Sequence, residues 1–326
     1  MKSPFTGGNA ILKTEKAELE FRKEKFQYIS SYYLCEDTKE RFTTTEIDTA
    51  NLSQVYNQYR VKYGIPFPDE IKKTRRMYDL SASKMSKILG FGDNQYRLYE
   101  NGDIPSEANG KILNLIKNPE VFRTFVENAK NQFDIKDYEK ILTALHKVSM
   151  NDHKIEEKMI FSTSSRGLCN GYATQSYDKL RSTILFLLDK CGRVFNTKMN
   201  KMLFYADFLS YKTYGKGITG LSYKAIQYGP VPLRWDRVYS LIDGVESELV
   251  EFNSGVCGTE LYTSEQPDLE ELTPQEIGIL NIVVDKFKDM SSAEISAMSH
   301  KEDTWKEYHD FDDLIPYNEA FKLSTI

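Results

Sequence analysis

The chain has 326 residues, 40% of them apolar and 13% aromatic, with a formal net charge of −5. That length predicts two or three domains, and that apolar content excludes a disordered chain. The longest apolar run, Ile184-Leu185-Phe186-Leu187-Leu188, is far short of the roughly 20 residues a bilayer span needs, which argues against a membrane protein.

The start, Met1-Lys2-Ser3-Pro4-Phe5-Thr6-Gly7-Gly8, has no apolar stretch of the kind a secretory signal carries, so a cytoplasmic location is expected. Cys35, Cys169, Cys191 and Cys257 are isolated, with no CxxC pair, and read as free buried thiols. Charge is uneven: residues 245–326 carry 19 acidic and 5 basic side chains, leaving a net of +9 ahead of them. A basic front suits a polyanion. The acidic tail either meets a different partner or only solvates a face.

In residues 11–45, Leu19 and Phe21, Phe26 and Tyr28, and Tyr32 and Leu34 sit at two-residue spacing among charges, which predicts a small antiparallel sheet with one wet face. Thr45-Glu46-Ile47-Asp48 then opens a helix to about Val61, with Thr45 as its N-cap. Residues 68–130 read as wholly helical. Pro68 starts one helix, Ser81 caps a second over 82–89, and Asp93 caps a third through Glu100. Two more follow at 107–116 and 119–130. Residues 147–174, with Ser162-Thr163-Ser164-Ser165, Gly167 and Gly171, are the least organised and mark the main boundary. Beyond it, helices are predicted at 177–189, 196–214, 233–242 and 273–290, with a short strand at 222–227. The expected fold is therefore α+β, mostly α. A small N-terminal antiparallel β module with a connecting helix (1–62) leads into a helix-turn-helix bundle (63–130). A helical linker (131–175) and a largely helical C-terminal domain with a short β element (176–326) complete the chain.

The helix-turn-helix expectation rests on two short helices flanking Gly90-Phe91-Gly92. Ala82, Met85, Ile88 and Leu89 would pack against Tyr96 and Tyr99, leaving Asp93, Asn94, Arg97 and Leu98 outward. Asn and Arg can read base edges, so Asp93, Asn94 and Arg97 are candidate DNA-binding residues. Arg75, Arg76, Lys84 and Lys87, with Lys72 and Lys73, are candidates for phosphate contacts. Similar helix–Gly–helix turns also occur in bundles that never touch DNA. The run Leu80-Ser81-x-x-x-Met85-Ser86-x-x-Leu89-Gly90-Phe91-Gly92, then Asn94-x-Tyr96-x-x-Tyr99-Glu100-x-Gly102, resembles the helix-turn-helix of MqsA-like antitoxins. The resemblance implies a dimer that represses its own operon by binding operator DNA. Those proteins carry an Arg four positions after the Asn matched by Asn94; here Leu98 stands there, and a different operator is implied.

The front of that family holds zinc through two CxxC pairs. Here Ser3-Pro4-Phe5-Thr6-Gly7 and Cys35-Glu36-Asp37-Thr38 stand in those places. One thiol with hydroxyls is a poor zinc donor set, so no metal is expected. Phe21, Phe26, Tyr28, Tyr32 and Tyr33 are expected to hold the strands by packing. The N-terminal segment is also readable as an ordinary turn.

Two further segments are distinctive: Lys198-Met199-Asn200-Lys201-Met202-Leu203-Phe204-Tyr205-Ala206-Asp207, and Tyr228-Gly229-Pro230-Val231-Pro232. The prolines force extended backbone before them, and Pro232 can start a helix, so the second reads as a rigid elbow between strand and helix. With Ser299-His300-x-x-x-x-Trp305 they resemble the Panacea domain, also seen in the SocA proteolytic adaptor. The resemblance covers residues 177–321 and implies an antitoxin with a cognate protein toxin. A SocA-like adaptor that delivers a toxin to an ATP-dependent protease is the alternative, and a mobile-element regulator without a toxin is a third. Met199, Met202, Leu203, Ala206 and Leu209 read as core. Tyr228 and Trp235, aromatics beside a stiff elbow, are the candidate toxin-binding residues. The packed pair expected of His300 and Trp305 is structural.

No enzyme is expected. His146, His153, His300 and His309 form no HExxH-type arrangement, and there is no P-loop. Gly215-Lys216-Gly217-Ile218-Thr219-Gly220 follows a helix, the wrong context for a dinucleotide site. Asp312-Asp313 and Glu270-Glu271 read as solvated carboxylates. No cofactor is implied.

Overall fold

A computed structural model of the chain describes residues 1–146, 153–161, 165–252, 255, 257–311 and 313–326. Residues 147–152 and Ser162-Thr163-Ser164 of the expected boundary segment, and Asp312 of the acidic pair, lie outside the described residues. The architecture is α+β and mostly helical. Two compact units form, one from Met1–Val55 with His153–Ile326, the other from Tyr56–Asp152.

The first unit begins with β1 (Ala10–Phe21) and β2 (Glu24–Cys35), paired antiparallel from Ala10 opposite Cys35 to Phe21 opposite Glu24. Arg22 and Lys23 make the connecting turn at left-handed φ of 51° and 69°, the twist a two-residue hairpin turn requires. β3 (Arg41–Phe42) pairs with β2 at Tyr33 and Leu34, and among the described residues most of that edge of β2 has no strand beside it. Side chains of α1 (Thr45–Tyr63) fill the gap. The Asn51 carboxamide accepts from the Ser31 N–H at 2.9 Å and donates to its carbonyl at 3.0 Å. Gln54, one turn on, does the same with Ile29 at 3.1 and 2.9 Å. Two amides three residues apart thus act as a substitute strand for backbone groups that burial would otherwise orphan. The α1 cap is Thr44, not the expected Thr45. The Thr44 hydroxyl accepts from Ile47 N–H at 3.4 Å, and its carbonyl from Asp48 N–H at 2.9 Å.

The ring packing at the base of this hairpin includes one of the expected rings, Tyr33, and Phe26 of the expected set is buried. Tyr33 stacks on Phe42 at 5.5 Å, and Phe42 meets the edge of Phe5 at 5.7 Å. Tyr32 instead lies under the Arg41 guanidinium at 4.3 Å.

The second unit is a helical bundle of α2 (Pro68–Met77), α3 (Ala82–Leu89), α4 (Gln95–Glu100), α5 (Glu107–Leu115), α6 (Pro119–Asn128) and α7 (Ile135–His146). Met85, Ile88 and Leu89 of α3 and Tyr96 and Tyr99 of α4 share one core with Tyr78 and Phe122, which stack at 4.1 Å. Residues 135–146, expected as linker, put Ile141 and Leu145 into this same core.

Returning to the first unit, α8 (Lys154–Ile160) and α9 (Tyr177–Cys191) precede β4 (Val194–Phe195) and α10 (Asn196–Tyr214). α10 is the central helix, with Met199, Met202, Leu203, Phe204, Tyr205, Ala206 and Phe208 all fully buried. Its C-cap Gly215, at φ 70°, approaches α1 so closely that a Cβ there would lie 2.9 Å from the Ser53 side chain. The hairpin of β5 (Tyr223–Ile226) and β6 (Gly229–Pro232) follows, then β7 (Glu246–Glu251), β8 (Cys257–Tyr262), α11 (Pro274–Phe287), α12 (Ser292–Ser299) and α13 (Asp303–Lys306).

Two expectations fail in this region. They are the helix over 233–242 and its start at Pro232; the three-stranded sheet β4-β8-β7 is an addition that the sequence did not announce. The expected helix over 233–242 is absent: successive turns lead to a single 3-10 turn at Tyr239–Leu241. Pro232 ends a strand rather than starting a helix, because Pro230 and Pro232 both lie in β6, opposite Ala225 and Tyr223. Burial then overrides helix propensity, since Val238, Tyr239 and Ile242 are buried while Arg234–Arg237 are exposed.

Candidate functional site

The three distinctive C-terminal segments meet at one place, the β5–β6 hairpin. Lys201, fully buried in α10, donates from Nζ to the Tyr228 carbonyl at 2.5 Å. Among the described residues no carboxylate pairs with it, and burial pushes its ammonium down to about 8. Gly229, at φ 102°, passes so near that a Cβ would lie 2.8 Å from the Ser299 hydroxyl and 2.9 Å from Lys201 Cε. Trp305 donates its indole N–H to the Ile226 carbonyl at 2.9 Å. His300 stacks on Trp305 at 4.3 Å, and His309 stacks on it as well, at 4.2 Å. Burial and the Lys201 charge lower the His300 pKa, with the Tyr228 carbonyl acting the other way. Its Nε2 is buried without a hydrogen-bond partner among the described residues.

A second buried polar group fixes the approach to the hairpin. Asp207 is fully buried and accepts four hydrogen bonds. They come from Ile218 N–H at 2.7 Å, Thr219 N–H at 2.8 Å, the Thr219 hydroxyl at 2.5 Å and the Tyr223 hydroxyl at 2.6 Å. Burial raises its pKa against those four donors. Tyr317 donates to the Leu221 carbonyl at 2.7 Å, and β5 also bonds along its far edge to Asp313 and Ile315. The hairpin is thus clamped on every side but its tip. At that tip Gln227 and Tyr228 face solvent, Tyr228 with 67% of its surface exposed.

Trp235 is 41% exposed, in the turn after β6. The four residues of β6, roughly 13 Å of strand, separate it from the Tyr228 turn. The two candidates therefore bracket the strand and do not form one cluster. No signal in the sequence marked Lys201, Asp207 or Ser299 as the clamp, although all three lie within or beside the distinctive segments.

In the helical unit, Asp93, Asn94, Arg97 and Leu98 are exposed, as are Arg76 and Lys87. The turn between α3 and α4 is longer than expected. Gly90 takes the left-handed C-cap at φ 67°, and Asn94, also left-handed at φ 61°, precedes α4 without capping it. Asp93 does not cap either. The buried Ser86 hydroxyl of α3 instead accepts from Tyr96 N–H at 3.0 Å. Arg75 is turned inward, pairing with Glu100 at 2.6 Å and donating to the Leu80 carbonyl at 2.9 Å. Lys84 pairs with Asp137 at 3.1 Å, and the Lys87 ammonium sits 4.8 Å from the Phe133 ring. Asp93, Asn94, Arg97 and Arg76 keep the freest polar heads of the set.

Among the described residues, no group of three or more His, Cys, Asp or Glu side chains could hold a metal ion. No described helix is long and apolar enough to cross a membrane. Residues 199–306, a third of the chain, match the family model described as "Antitoxin SocA-like, Panacea domain". The match contains Lys201, Asp207, the whole β5–β6 hairpin and Ser299 to Trp305. No family match supports the resemblance of the N-terminal region to MqsA-like antitoxins. No curated protein and no solved structure matches the chain.

Proposed function

We propose that this protein is an antitoxin that binds a cognate protein toxin through the surface around the β5–β6 tip and represses its own operon through α3 and α4. The observation that carries the first part is the convergence of Lys201, Ser299, His300 and Trp305 on one hairpin, inside the segment that matches the antitoxin family. These side chains all point inward, so what they achieve is the fixed presentation of Gln227 and Tyr228. A rigid, exposed tyrosine loses little entropy on docking, which makes Tyr228 a suitable anchor. Trp235 offers a second anchor at the far end of β6.

The DNA-binding part is supported by the exposed Asn94 and Arg97, at the entry to and on a short helix held against α3, with Arg76 of α2 also exposed for phosphate. A dimer reading paired half-sites completes this reading. Nothing in it calls for catalysis.

Co-expression with the product of the neighbouring gene, scored for growth and for co-purification, tests the proposal. Rescue with a stable complex is expected. In the Tyr228→Ala and Trp235→Ala variants, weaker binding with unchanged melting temperature is expected. Rescue in which the toxin disappears would instead mean delivery to an ATP-dependent protease. A harmless neighbour with no complex would overturn the toxin-binding reading.

A further inference from the structure

Two turns near the start of β1 and the end of β2 repeat one geometry. In the first, Gly7 N–H bonds to the Ser3 carbonyl at 2.9 Å; in the second, Lys39 N–H bonds to the Cys35 carbonyl at 3.0 Å. The residue that closes each turn is left-handed, Gly7 at φ 72° and Lys39 at φ 61°. Each turn carries polar side chains at its first and fourth positions: Ser3 and Thr6, then Cys35 and Thr38. All four converge. Thr6 Oγ1 lies 3.7 Å from the Cys35 sulfur, and the Ser3 and Thr38 side chains beside it pull the Cys35 thiol down to about 6. Cys35 has no exposed surface, and Ser3 is 4% exposed.

Paired turns with ligands three residues apart are the frame of a tetrahedral zinc site. With zinc–sulfur bonds of ~2.3 Å, adjacent ligands of a tetrahedron stand about 3.8 Å apart, close to the observed separation of Thr6 and Cys35. The donor set does not fit the metal: neutral hydroxyls at three positions leave one thiolate to neutralise a divalent cation. The same hydroxyls fit another task. Ser3 Oγ accepts from Phe5 N–H at 3.2 Å and Thr38 Oγ1 from Glu40 N–H at 3.3 Å, so each hydroxyl is held within its own turn. Thr6 accepts from Gly8 N–H at 3.1 Å and donates to the exposed Asp37 at 2.7 Å, tying the two turns together a second time.

We propose that this is a four-position metal knuckle converted to a metal-free lock, in which Thr6, in contact with the Cys35 sulfur and bonded to Asp37, does the joining that a zinc ion would do. The frame alone is metal-competent; the side chains at positions 3, 6 and 38 are what withhold it.

The full chain, purified from zinc-supplemented medium, is expected to hold no zinc by elemental analysis and to melt identically with and without EDTA. Stoichiometric zinc in the unaltered chain would overturn the proposal. The triple substitution Ser3→Cys, Thr6→Cys and Thr38→Cys is expected to bind one zinc per chain, and one Co(II) with the visible absorption of a tetrahedral thiolate site. A variant with native circular dichroism that leaves Co(II) octahedral sinks it. Because that variant carries three changes in a tight site, Thr6→Cys alone gives a second test. Diamide, taking up two electrons and two protons, is expected to join it to Cys35 in a disulfide found by peptide mapping. A folded variant whose thiols stay free would show that the two turns do not converge.

Discussion

Where α10 buries Lys201 and Asp207 completely, α3 and α4 bury Met85, Ile88, Leu89, Tyr96 and Tyr99 and send Asn94 and Arg97 to the surface. One region encloses a lysine and an aspartate among hydrogen-bond partners; the other sets Asn94 and Arg97 outward on an apolar core in which Ser86 is a buried polar side chain. Buried polar groups with a fixed partner geometry tolerate little change, whereas an apolar core accepts repacking. A sequence signature in the first region therefore describes a clamp. In the second it describes a turn and a core, and says little about what the exposed face reads.

The glycines give the largest expected contrast. Gly229→Ala would set a Cβ 2.8 Å from Ser299 Oγ and 2.9 Å from Lys201 Cε while holding φ at 102°. The expected loss is about 3 kcal/mol or more, read as a lower urea midpoint for the unit that carries it. Gly90→Ala has the same left-handed problem, at φ 67°, but nothing within 4 Å of the new atom. It should cost only about 1–2 kcal/mol. Equal losses would show that the clamp around Gly229 is no tighter than an ordinary helix end.

Lys201 sharpens the same comparison through pH. Its folded pKa, about 8, lies below the unfolded value of 10.5. Between those values the unfolded chain holds more protons, so stability from this group rises with pH across the window, by about 3 kcal/mol in all. The penalty is present in full below pH 8 and gone above 10.5. Buried tyrosines titrate in the opposite sense at the upper end, so the readout is the difference between the unaltered chain and Lys201→Met. That difference should shift towards the unaltered chain as pH rises from 8 to 10.5. A flat difference means that Lys201 is not held charged in a dry site.

How far the sequence carried the fold follows the same division. Caps and periodicity are local, and Ser81, Gly90, Pro68 and Thr273 mark their helix ends as the structure has them. The C-terminal marks were visible as strings, but their joint purpose was not: Lys201 and Trp305 are 104 positions apart and are brought to one hairpin through the carbonyls of Tyr228 and Ile226. The same non-locality hid the β4-β8-β7 sheet, since β4 is two residues long and pairs with a strand some sixty positions on. The reading of Pro232 as a helix start failed because proline serves an edge strand equally well, and only the partner strand decides.

Arg75 and Arg97 divide the helical unit into inward and outward charge. Arg75→Ala removes the partner of Glu100, a side chain only 9% exposed, and leaves the Leu80 carbonyl unpaired. A stability loss of about 2 kcal/mol is expected. Arg97→Ala should leave the melting temperature unchanged and, on the proposed reading, weaken operator binding by about tenfold, or 1–2 kcal/mol. If Arg97→Ala instead lowers the melting temperature, or leaves binding to the upstream DNA intact, the outward face of α4 is not a reading surface.

The smallest effect is the most local. α4 is six residues long and enters from a left-handed Asn94 that makes no side-chain cap, so its first amides need a donor's partner from elsewhere. Ser86 supplies it from the neighbouring helix, its hydroxyl accepting from Tyr96 N–H at 3.0 Å while 3% exposed. Ser86→Ala should therefore cost about 1 kcal/mol, the usual value of a cap, although the residue is in the interior of α3 and alanine is the better helix former there. Hydrogen exchange separates the two influences. The amide of Tyr96 should lose protection in the variant while those of α3 keep theirs, because the lost bond belongs to α4 alone. Asp93→Ala is the matching control and should change neither, since that carboxylate faces solvent and caps nothing. If Asp93→Ala proved the more damaging of the two, the start of α4 would be held by its own turn and not by the helix it packs against.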